Sequence, residues 1–376
     1  MKNVLITAGE PSGDLHASNL VKDLKSLDPN LKFFGLGGNL MKGCGVDTVF
    51  DITALALIGL VEVWKNIFTV GRAYRSLLKR IDSEHVDLAI LVDYPGFNLR
   101  LAKELKERSI PVVYYISPQV WAWAPERIDI IKACVKKMVV FFKFEEELYK
   151  KHGVNVECVG HPLVDTIKVT APRDDVRRKY SLDKEKTVIA LLPGSRKQEV
   201  RALLKIMAEA ARLINKRLGN TRFIVAKHPD LPLEIYKNAV KDLSLDIKIA
   251  EADTYNVLGA SDFAIVASGT ATLETAMIGT PFLIAYRVNL FTYIVYKFVA
   301  KTRFVGLVNV MAAREVVPEL LQFNATPEKI AQKTVEVLSD KKRLSNMREE
   351  FGRVRSSLGG PGASFRAAKS ILPLLK

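Results

Sequence analysis

Short apolar segments alternate along this chain with longer segments of helical periodicity, and this alternation limits the fold more than any other feature. The first block includes predicted strands at Val4–Ala8, Leu88–Asp93 and Pro111–Ser117, and a second block begins with Val188–Leu192. Strands separated by helices predict a parallel sheet that is covered by helices on both faces. The sequence therefore predicts an α/β protein with two doubly wound, Rossmann-like domains.

The boundary between the two domains is expected where the alternation stops. Residues 163–186 are charged and contain no buried strand. We therefore expect an N-terminal domain at 1–165, a linker at 166–185 and a C-terminal domain at 186–344. In open parallel sheets, ligands bind beyond the carboxyl ends of the strands, so the loops at those ends are the first place to look for function.

The composition is that of a soluble globular protein that favours anionic partners. Of 376 residues, 48% are apolar and 26% are charged, and the formal net charge is +15. This charge suits phosphorylated metabolites, nucleic acid or an acidic membrane face. The first apolar run is too short for a secretory signal, and no run is long enough to form a spanning helix. A cytoplasmic protein, soluble or peripheral, is therefore expected.

Cysteine and histidine usage gives no sign of a metal or a cofactor. The three cysteines lie far apart without a CxxC pair, and the five histidines form no metal-spaced cluster. The chain also lacks a P-loop, a GxSxG elbow and an HExxH motif, which disfavours an NTPase, an α/β hydrolase and a zincin. It has no RNP, KH, helix-turn-helix or zinc-finger signature, so no nucleic-acid partner is expected despite the charge.

Three motifs follow predicted strands of the first block. The motif GEPSGD pairs a tight glycine turn with carboxylates that can meet sugar hydroxyls, although an ordinary strand-to-helix turn is the alternative. In LVDYPGFN, Asp93 closes a buried strand, a good place for a general base or for a helix-capping residue. In ISPQVWAWAPERI, closely spaced tryptophans suit a sugar or acyl surface as well as a packed loop. The candidate binding residues are Gly9, Glu10, Ser12, Gly13, Asp14, Gln119 and Trp121.

Two motifs of the second block predict anion sites at helix N-termini. In LLPGSRKQEV, a buried strand leads into Ser195 and Arg196, where a guanidinium and a helix N-terminus would both meet a phosphate, and Glu199 would orient the arginine. A capped helix with a solvated ion pair is the alternative. In VASGTATLETAMIGTP, small residues form the turn before a helix that carries Glu274, a suitable acceptor for two ribose hydroxyls. The small residues of that turn are Ser268, Gly269 and Thr270.

Two stretches combine apolar or aromatic residues with Lys and Arg, a composition typical of a helix lying on anionic lipid. An ordinary core helix with one solvated side gives a similar pattern. The second stretch is Asn289–Arg303. The expected membrane-facing residues of the first are Leu57, Ile58, Leu60, Val61, Trp64, Ile67, Phe68, Arg72 and Arg75.

Taken together, these motifs resemble the lipid-A-disaccharide synthase family of glycosyltransferases. The matching segments run in order from Gly9 to Gln322, so the resemblance covers nearly the whole chain. They are GEPSGDLHA, DYPGFN, YYISPQVWAW, VGHPL, LLPGSRKQE, ASGTATLE and PELLQ. One departure is Phe142-Lys143-Phe144-Glu145, where the family usually has a proline in the second position.

The resemblance implies a glycosyltransferase B arrangement, in which two Rossmann-like domains face a cleft and the C-terminal helix, about 345–376, packs back on the N-terminal domain. It implies inverting transfer from UDP-2,3-diacylglucosamine to 2,3-diacylglucosamine 1-phosphate (lipid X), giving a β-1,6-linked disaccharide and UDP without an obligatory metal. Asp93 and Arg196 would be catalytic, and Asn309 and Gln322 would join the donor pocket. The enzyme would be peripheral on the anionic cytoplasmic face of the inner membrane.

Two other interpretations stay open at this point. A related two-domain UDP-sugar enzyme, such as an epimerase or a peptidoglycan-type glycosyltransferase, would share the fold while using a different acceptor. The sequence does not decide whether Asp93 is the base or only positions the acceptor. It also leaves acyl-chain length, substrate order and oligomeric state open, with a homodimer among the options.

Overall fold

The structure is a computed structural model that describes residues 1–51, 63–122, 124–241, 243, 245–288, 293 and 302–375, with the backbone alone at 51 and 63–67. The chain divides into two compact units. The first unit comprises Met1–Asp165 and Leu358–Lys376, and the second comprises Thr166–Ser357.

Each unit is built on a parallel sheet. The first sheet has seven strands in the order β3-β2-β1-β4-β5-β6-β7, and the second has six in the order β10-β9-β8-β11-β12-β13. The first-sheet strands are β1 (Lys2–Ala8), β2 (Leu31–Gly37), β3 (Val46–Asp51), β4 (Leu88–Val92), β5 (Val112–Tyr115), β6 (Lys137–Val140) and β7 (Val156–Cys158). The second-sheet strands are β8 (Thr187–Leu192), β9 (Thr221–Lys227), β10 (Ile247–Glu251), β11 (Phe263–Val266), β12 (Phe282–Tyr286) and β13 (Glu319–Leu321).

Helices follow most strands and cover the sheets, as the alternation predicts. The helices before the second sheet are α1 (Pro11–Leu27), α2 (Asn39–Gly43), α3 (Val63–Ser83), α4 (Pro95–Glu107), α5 (Arg127–Cys134), α6 (Lys143–Lys151), α7 (Leu163–Thr166) and α8 (Arg173–Lys179). Those after its first strand are α9 (Lys197–Leu218), α10 (Leu233–Val240), α11 (Thr254–Ala260), α12 (Thr270–Ile278), α13 (Leu307–Ala312), α14 (Pro327–Ser339), α15 (Lys341–Ser357) and α16 (Ala363–Ile371). The predicted α/β class with two parallel sheets is confirmed.

The central strands are buried on both faces, which is why they are continuous apolar runs. Val4, Leu5 and Ile6 of β1 are fully buried, as is the whole of β4. The edge strands β3 and β13 were missed by sequence reasoning for the opposite reason. Each pairs on one side only and includes polar residues, so neither forms a continuous apolar run.

The chain leaves and re-enters the first unit at positions that differ from those expected. Residues 166–185 are part of the second unit, where α8 buries Arg177 and pairs it with Asp262 at 2.8 Å. Residues 345–357 also belong to the second unit, because Phe351 of α15 stacks on Phe282 of β12 with ring centroids 5.4 Å apart. The return to the first unit begins at Leu358.

Asp14 of α1 anchors the short helix α2. Its carboxylate accepts the backbone N–H groups of Gly38, Leu40 and Met41 at 2.9, 3.0 and 3.1 Å. The Asp14 side chain is buried, and it supplies the negative charge that a helix N-terminus favours. Although Asp14 was expected to bind the acceptor, its oxygens are engaged in holding α2 beside the sheet.

Asp14→Ala is expected to lower the free energy of unfolding by about 2–4 kcal/mol, because several backbone donors would lose a charged acceptor. Urea unfolding measures the change. Lys22→Ala, an exposed change on the same helix, is the matched control and should stay within about 0.5 kcal/mol of wild type. Unchanged stability together with lost acceptor binding would contradict this assignment and favour direct contact with the acceptor.

Candidate active site

In the first unit, the loops that carry the first two motifs lie side by side at the point where the strand order reverses. Strand β1 pairs with β4, so that Ala8 lies beside Val92 and the loops that follow both strands leave the same edge. A Cβ built on Gly9 would lie 2.2 Å from Cδ1 of Tyr94. Only glycine therefore fits at position 9 while the Tyr94 ring keeps its place, and the two motifs form one site.

The backbone at Asp93 is strained and held in place by side chains. Asp93 and Tyr94 both have φ of 47°, a left-handed conformation that costs residues other than glycine roughly 1–3 kcal/mol each. Asn98 Nδ2 and Tyr114 Oη each donate to the Asp93 carbonyl oxygen at 2.7 Å. The Thr7 hydroxyl in turn donates to Asn98 Oδ1 at 2.7 Å, which fixes the orientation of that amide. The Asp93 carboxyl thus stands on a rigid turn.

The environment of Asp93 suits a proton acceptor near neutral pH. Burial raises the pKa of Asp93 to about 6, the negative charge of Glu10 adds to the rise, and a hydrogen bond from the Tyr94 backbone opposes it. A carboxyl with this pKa is ionised at neutral pH and yet more basic than an ordinary aspartate. Glu10 of the first motif therefore affects the pKa of Asp93 in the second, and the two motifs are also neighbours in space.

The remaining predicted residues of the first motif divide by exposure. Glu10, at the N-cap of α1, and Ser12, in its first turn, are both exposed. Gly13 is buried at the start of α1, where a Cβ would make ordinary contact with Ala8. Asp14 points toward α2, as described above.

The loop after β5 presents Gln119 and part of Trp121. Gln119 is exposed, and Trp121 is half-buried with its ring edge against Phe144 at a centroid distance of 5.5 Å. Trp123 lies outside the described residues. The loop therefore offers one polar and one aromatic contact at the same edge of the sheet as Asp93.

The second unit repeats this topology with different chemistry. Strands β8 and β11 are neighbours at the reversal point, and Leu192 lies beside Val266. Helices α9 and α12 begin just after these strands, and neither N-terminus is capped by a side chain. The first backbone N–H groups of both helices therefore lie at the same edge of the sheet without a side-chain cap. Such an arrangement attracts anions.

Arg196 stands at the N-cap of α9 with its side chain 75% exposed. Its Nη1 pairs with Glu199 Oε1 at 3.1 Å, and Glu199 is itself packed on Gly194, where a Cβ would lie 2.7 Å from Oε2. Gly194 has φ of 110°, which L side chains rarely adopt. Ser195 is exposed beside it. Glu199 therefore orients a guanidinium that remains accessible to a ligand.

Glu274 lies one turn into α12, close to the other helix N-terminus. Tyr255 Oη donates to its Oε1 at 3.1 Å. Burial raises the pKa of Glu274, and the bond from Tyr255 opposes that rise. Ser268 is half-buried and Gly269 and Thr270 are exposed at the start of the helix. The carboxyl keeps Oε2 for a further donor, such as a ribose hydroxyl.

Asn309 and Gln322 are held inside the second unit. Asn309 accepts from the backbone of Val316 and Val317 and donates to the Val317 carbonyl and Glu319, all at 2.8–3.0 Å. Gln322 exchanges two hydrogen bonds with the backbone of Val288. These bonds saturate the Asn309 amide and tie the Gln322 amide to the Val288 backbone, so both side chains join neighbouring segments of the second unit.

Sequence reasoning assigned no role to several residues that shape the first site. Asn98 and Tyr114 hydrogen-bond to the backbone of the Asp93 turn. The position of Asn98 within the DYPGFN motif was the sequence signal that could have identified it.

His16 and His161 both pack on Phe141, with centroid distances of 5.5 and 5.0 Å. Burial lowers the pKa of His16 to about 4, and burial together with His16 lowers the pKa of His161 to about 3. Both imidazoles are therefore neutral at pH 7.

The predicted membrane-facing stretch falls only partly within the described residues. Leu57, Ile58, Leu60 and Val61 lie outside them, as do the side chains of Trp64 and Ile67. Phe68 on α3 is 78% exposed, and Arg72 and Arg75 are exposed on the same helix. Across the residues that the structure describes, none of the helices combines the length and apolar character needed to span a bilayer.

In the same part of the chain, no cluster of three or more His, Cys, Asp or Glu side chains could hold a metal ion.

The sequence matches the family model of lipid-A-disaccharide synthetase over residues 4–364. A lipid-A-disaccharide synthase of Syntrophus aciditrophicus is 41% identical over 376 residues, which cover 100% of this chain and 98% of the relative. One of Geobacter metallireducens is 40% identical over 374 residues, covering 100% and 97% of the two chains. These matches extend over both units.

Solved structures with the same fold include other sugar-nucleotide and glycosyl-transfer proteins. A putative UDP-N-acetylglucosamine 2-epimerase of Listeria monocytogenes superposes with a TM-score of 0.63 at 14% identity, covering 99% of this chain and 96% of the other. CalG4, a calicheamicin glycosyltransferase, gives 0.63 at 13% identity with 100% and 98% coverage. The fold alone does not separate these activities. The full-length sequence match does separate them. It shows that the chain belongs to the lipid-A-disaccharide synthase family, the hexosyltransferases that form the lipid A disaccharide.

Proposed function

We propose that this chain transfers the sugar of UDP-2,3-diacylglucosamine to the 6-hydroxyl of 2,3-diacylglucosamine 1-phosphate, with inversion at the anomeric carbon. The observation that carries the proposal is the Asp93 turn. A half-buried carboxyl with a raised pKa stands on a strained backbone at the strand-order reversal of the first unit. Such a group is suited to removing a proton from a sugar hydroxyl.

In the proposed step, Asp93 accepts the proton of the acceptor 6-hydroxyl as its oxygen attacks the anomeric carbon. The bond between that carbon and the diphosphate oxygen breaks, and UDP leaves with the bonding electron pair. Attack opposite the leaving group gives the β-1,6 linkage. Exposed Glu10 and Ser12, with Gln119 and Trp121, are proposed to contact the acceptor in the first unit.

The second unit is proposed to bind the UDP-sugar. Negative charge develops on the diphosphate as UDP leaves, and preorganised donors are most effective where charge develops. Arg196, the uncapped N-terminus of α9 and the turn at Ser268, Gly269 and Thr270 supply those donors, which would do the work of a metal ion. The free oxygen of Glu274 is proposed to accept the ribose hydroxyls.

We also propose that the enzyme docks peripherally on the anionic cytoplasmic face of the inner membrane. Both substrates carry acyl chains and reside in a bilayer, so a soluble enzyme would need a docking surface to reach them. The exposed Phe68, with Arg72 and Arg75 on the same helix, supports this role for α3. The net charge of +15 would strengthen attraction to anionic lipid.

The rate should depend on the ionisation of Asp93. We expect kcat/KM for the acceptor to fall about tenfold per pH unit below about pH 6, because a protonated carboxyl cannot act as base. Glu10→Gln removes a negative charge that raises the Asp93 pKa, so this acid limb should move to lower pH. Asp93→Asn should lose about 10²–10⁴-fold in rate. A wild-type limb near pH 4, or a fully active Asp93→Asn variant, would contradict the assignment.

Arg196→Ala should weaken use of the UDP-sugar by about 10–100-fold in kcat/KM, because a charge-assisted contact to the diphosphate would be lost. Initial rates at varied donor and saturating acceptor measure this change. Arg201→Ala is the matched control, since Arg201 is exposed on the same helix and should leave the kinetics unchanged. Equal effects of the two substitutions would exclude a specific phosphate role for Arg196.

A further inference from the structure

The first unit holds a buried carboxyl that the proposed reaction does not use. Glu145, in the first turn of α6, is only 4% exposed. Burial raises the pKa of Glu145 to about 8, and the side chains of Trp121 and Ser117, with the backbone of Phe141 and Phe142, oppose the rise. Because burial of a carboxyl is costly, its presence among apolar rings indicates a specific partner.

The candidate partner is Trp121, in the loop after β5. The Trp121 side chain is among the groups that lower the pKa of Glu145, and its buried indole N–H makes no hydrogen bond within the described part of the chain. Phe144, the residue before Glu145, meets the Trp121 ring edge-on. The tryptophan therefore packs on the first turn of α6 through an aromatic contact, beside a buried carboxyl whose pKa its side chain lowers.

The same loop is strained and so needs external support. Ile116 has φ of 73° and Ala124 has φ of 57°, and the left-handed region is a genuine outlier for a β-branched residue such as Ile116. Ser117 Oγ lies 3.0 Å from Tyr149 Oη of α6, a second link between this loop and that helix. Both ends of the Trp121 segment are thus under conformational strain, while α6 contacts its interior.

We propose that Glu145 is a positioning residue, whose buried carboxyl holds Trp121 and the loop after β5 in the conformation that receives the acceptor sugar. The proposal rests on the proposed function, because it takes the acceptor to bind beside Trp121. A purely local role is the competing explanation, since a glutamate at this helical position often hydrogen-bonds back to the backbone at the helix start. Only the positioning role requires coupling to Trp121.

The test compares two variants. Glu145→Leu has a side chain of similar volume without polar atoms, and Glu145→Gln has a side chain of similar volume that keeps polar atoms. Glu147→Leu, an exposed change on the same helix, is the control. We expect Glu145→Leu to raise KM for the acceptor about tenfold, with KM for the UDP-sugar within about twofold of wild type. Glu145→Gln should restore the acceptor KM, and Glu147→Leu should leave both constants unchanged. Equal changes in both KM values would overturn the proposal.

A double-mutant cycle adds a readout that helix capping alone would not affect. In a Trp121→Phe background, Glu145→Leu should have little further effect on the acceptor KM, because the group that it positions is already gone. Fully additive effects would show that Glu145 acts independently of Trp121 and would overturn the proposal.

Backbone hydrogen exchange over residues 117–122 tests the proposal without activity. Exchange should be faster in Glu145→Leu and unchanged in Glu145→Gln and Glu147→Leu. Wild-type protein that is inactive on both proposed substrates would refute the proposed function, while the exchange result would still decide the role of Glu145. Unchanged exchange in Glu145→Leu would overturn the positioning role, whatever the activity.

Discussion

The reversal of strand order in each parallel sheet is the constraint on which both candidate sites depend. Where β1 meets β4, and again where β8 meets β11, the connecting helices leave to opposite sides, and the loops between them are left without a covering element. The first crevice receives the Glu10 and Asp93 loops, and the second receives the starts of α9 and α12. One topological rule therefore positions residues that are more than eighty positions apart in the first unit.

The two crevices differ in the charge that they present. In the first, burial and, to a smaller extent, the negative charge of Glu10 raise the pKa of Asp93. In the second, uncapped helix N-termini and Arg196 present positive charge. A carboxyl suited to accept a proton in one crevice and donors suited to an anion in the other are consistent with the proposed transfer from a nucleotide diphosphate. The overall basic charge of the chain does not show this division, which depends on a few residues at strand ends.

The central strands and the order of the motifs could be predicted from the sequence, because a strand buried on both faces is a continuous apolar run. The edge strands β3 and β13 could not, since each pairs on one side only and includes polar residues. As predicted, Asp93 follows a strand, Arg196 stands at the start of a helix and Glu274 lies one turn into a helix. The hydrogen-bond partners of Asp14, Asn309 and Gln322 could not be predicted from the sequence, because a polar side chain near a loop can bind either a ligand or the backbone. The hydrogen bonds to the backbone of Gly38, Val317 and Val288 show that these three side chains bind the backbone.

Strain at Asp93 is likewise invisible in the sequence, since its left-handed backbone is imposed by Asn98 and Tyr114. We propose that this turn and the donor crevice of the second unit together catalyse transfer between two acylated sugars. The most direct measurement is release of UDP from UDP-2,3-diacylglucosamine in detergent and EDTA, with and without 2,3-diacylglucosamine 1-phosphate. The account predicts release only when the acceptor is present. Release at the same rate without it, or none with folded protein and both substrates intact, would contradict the account.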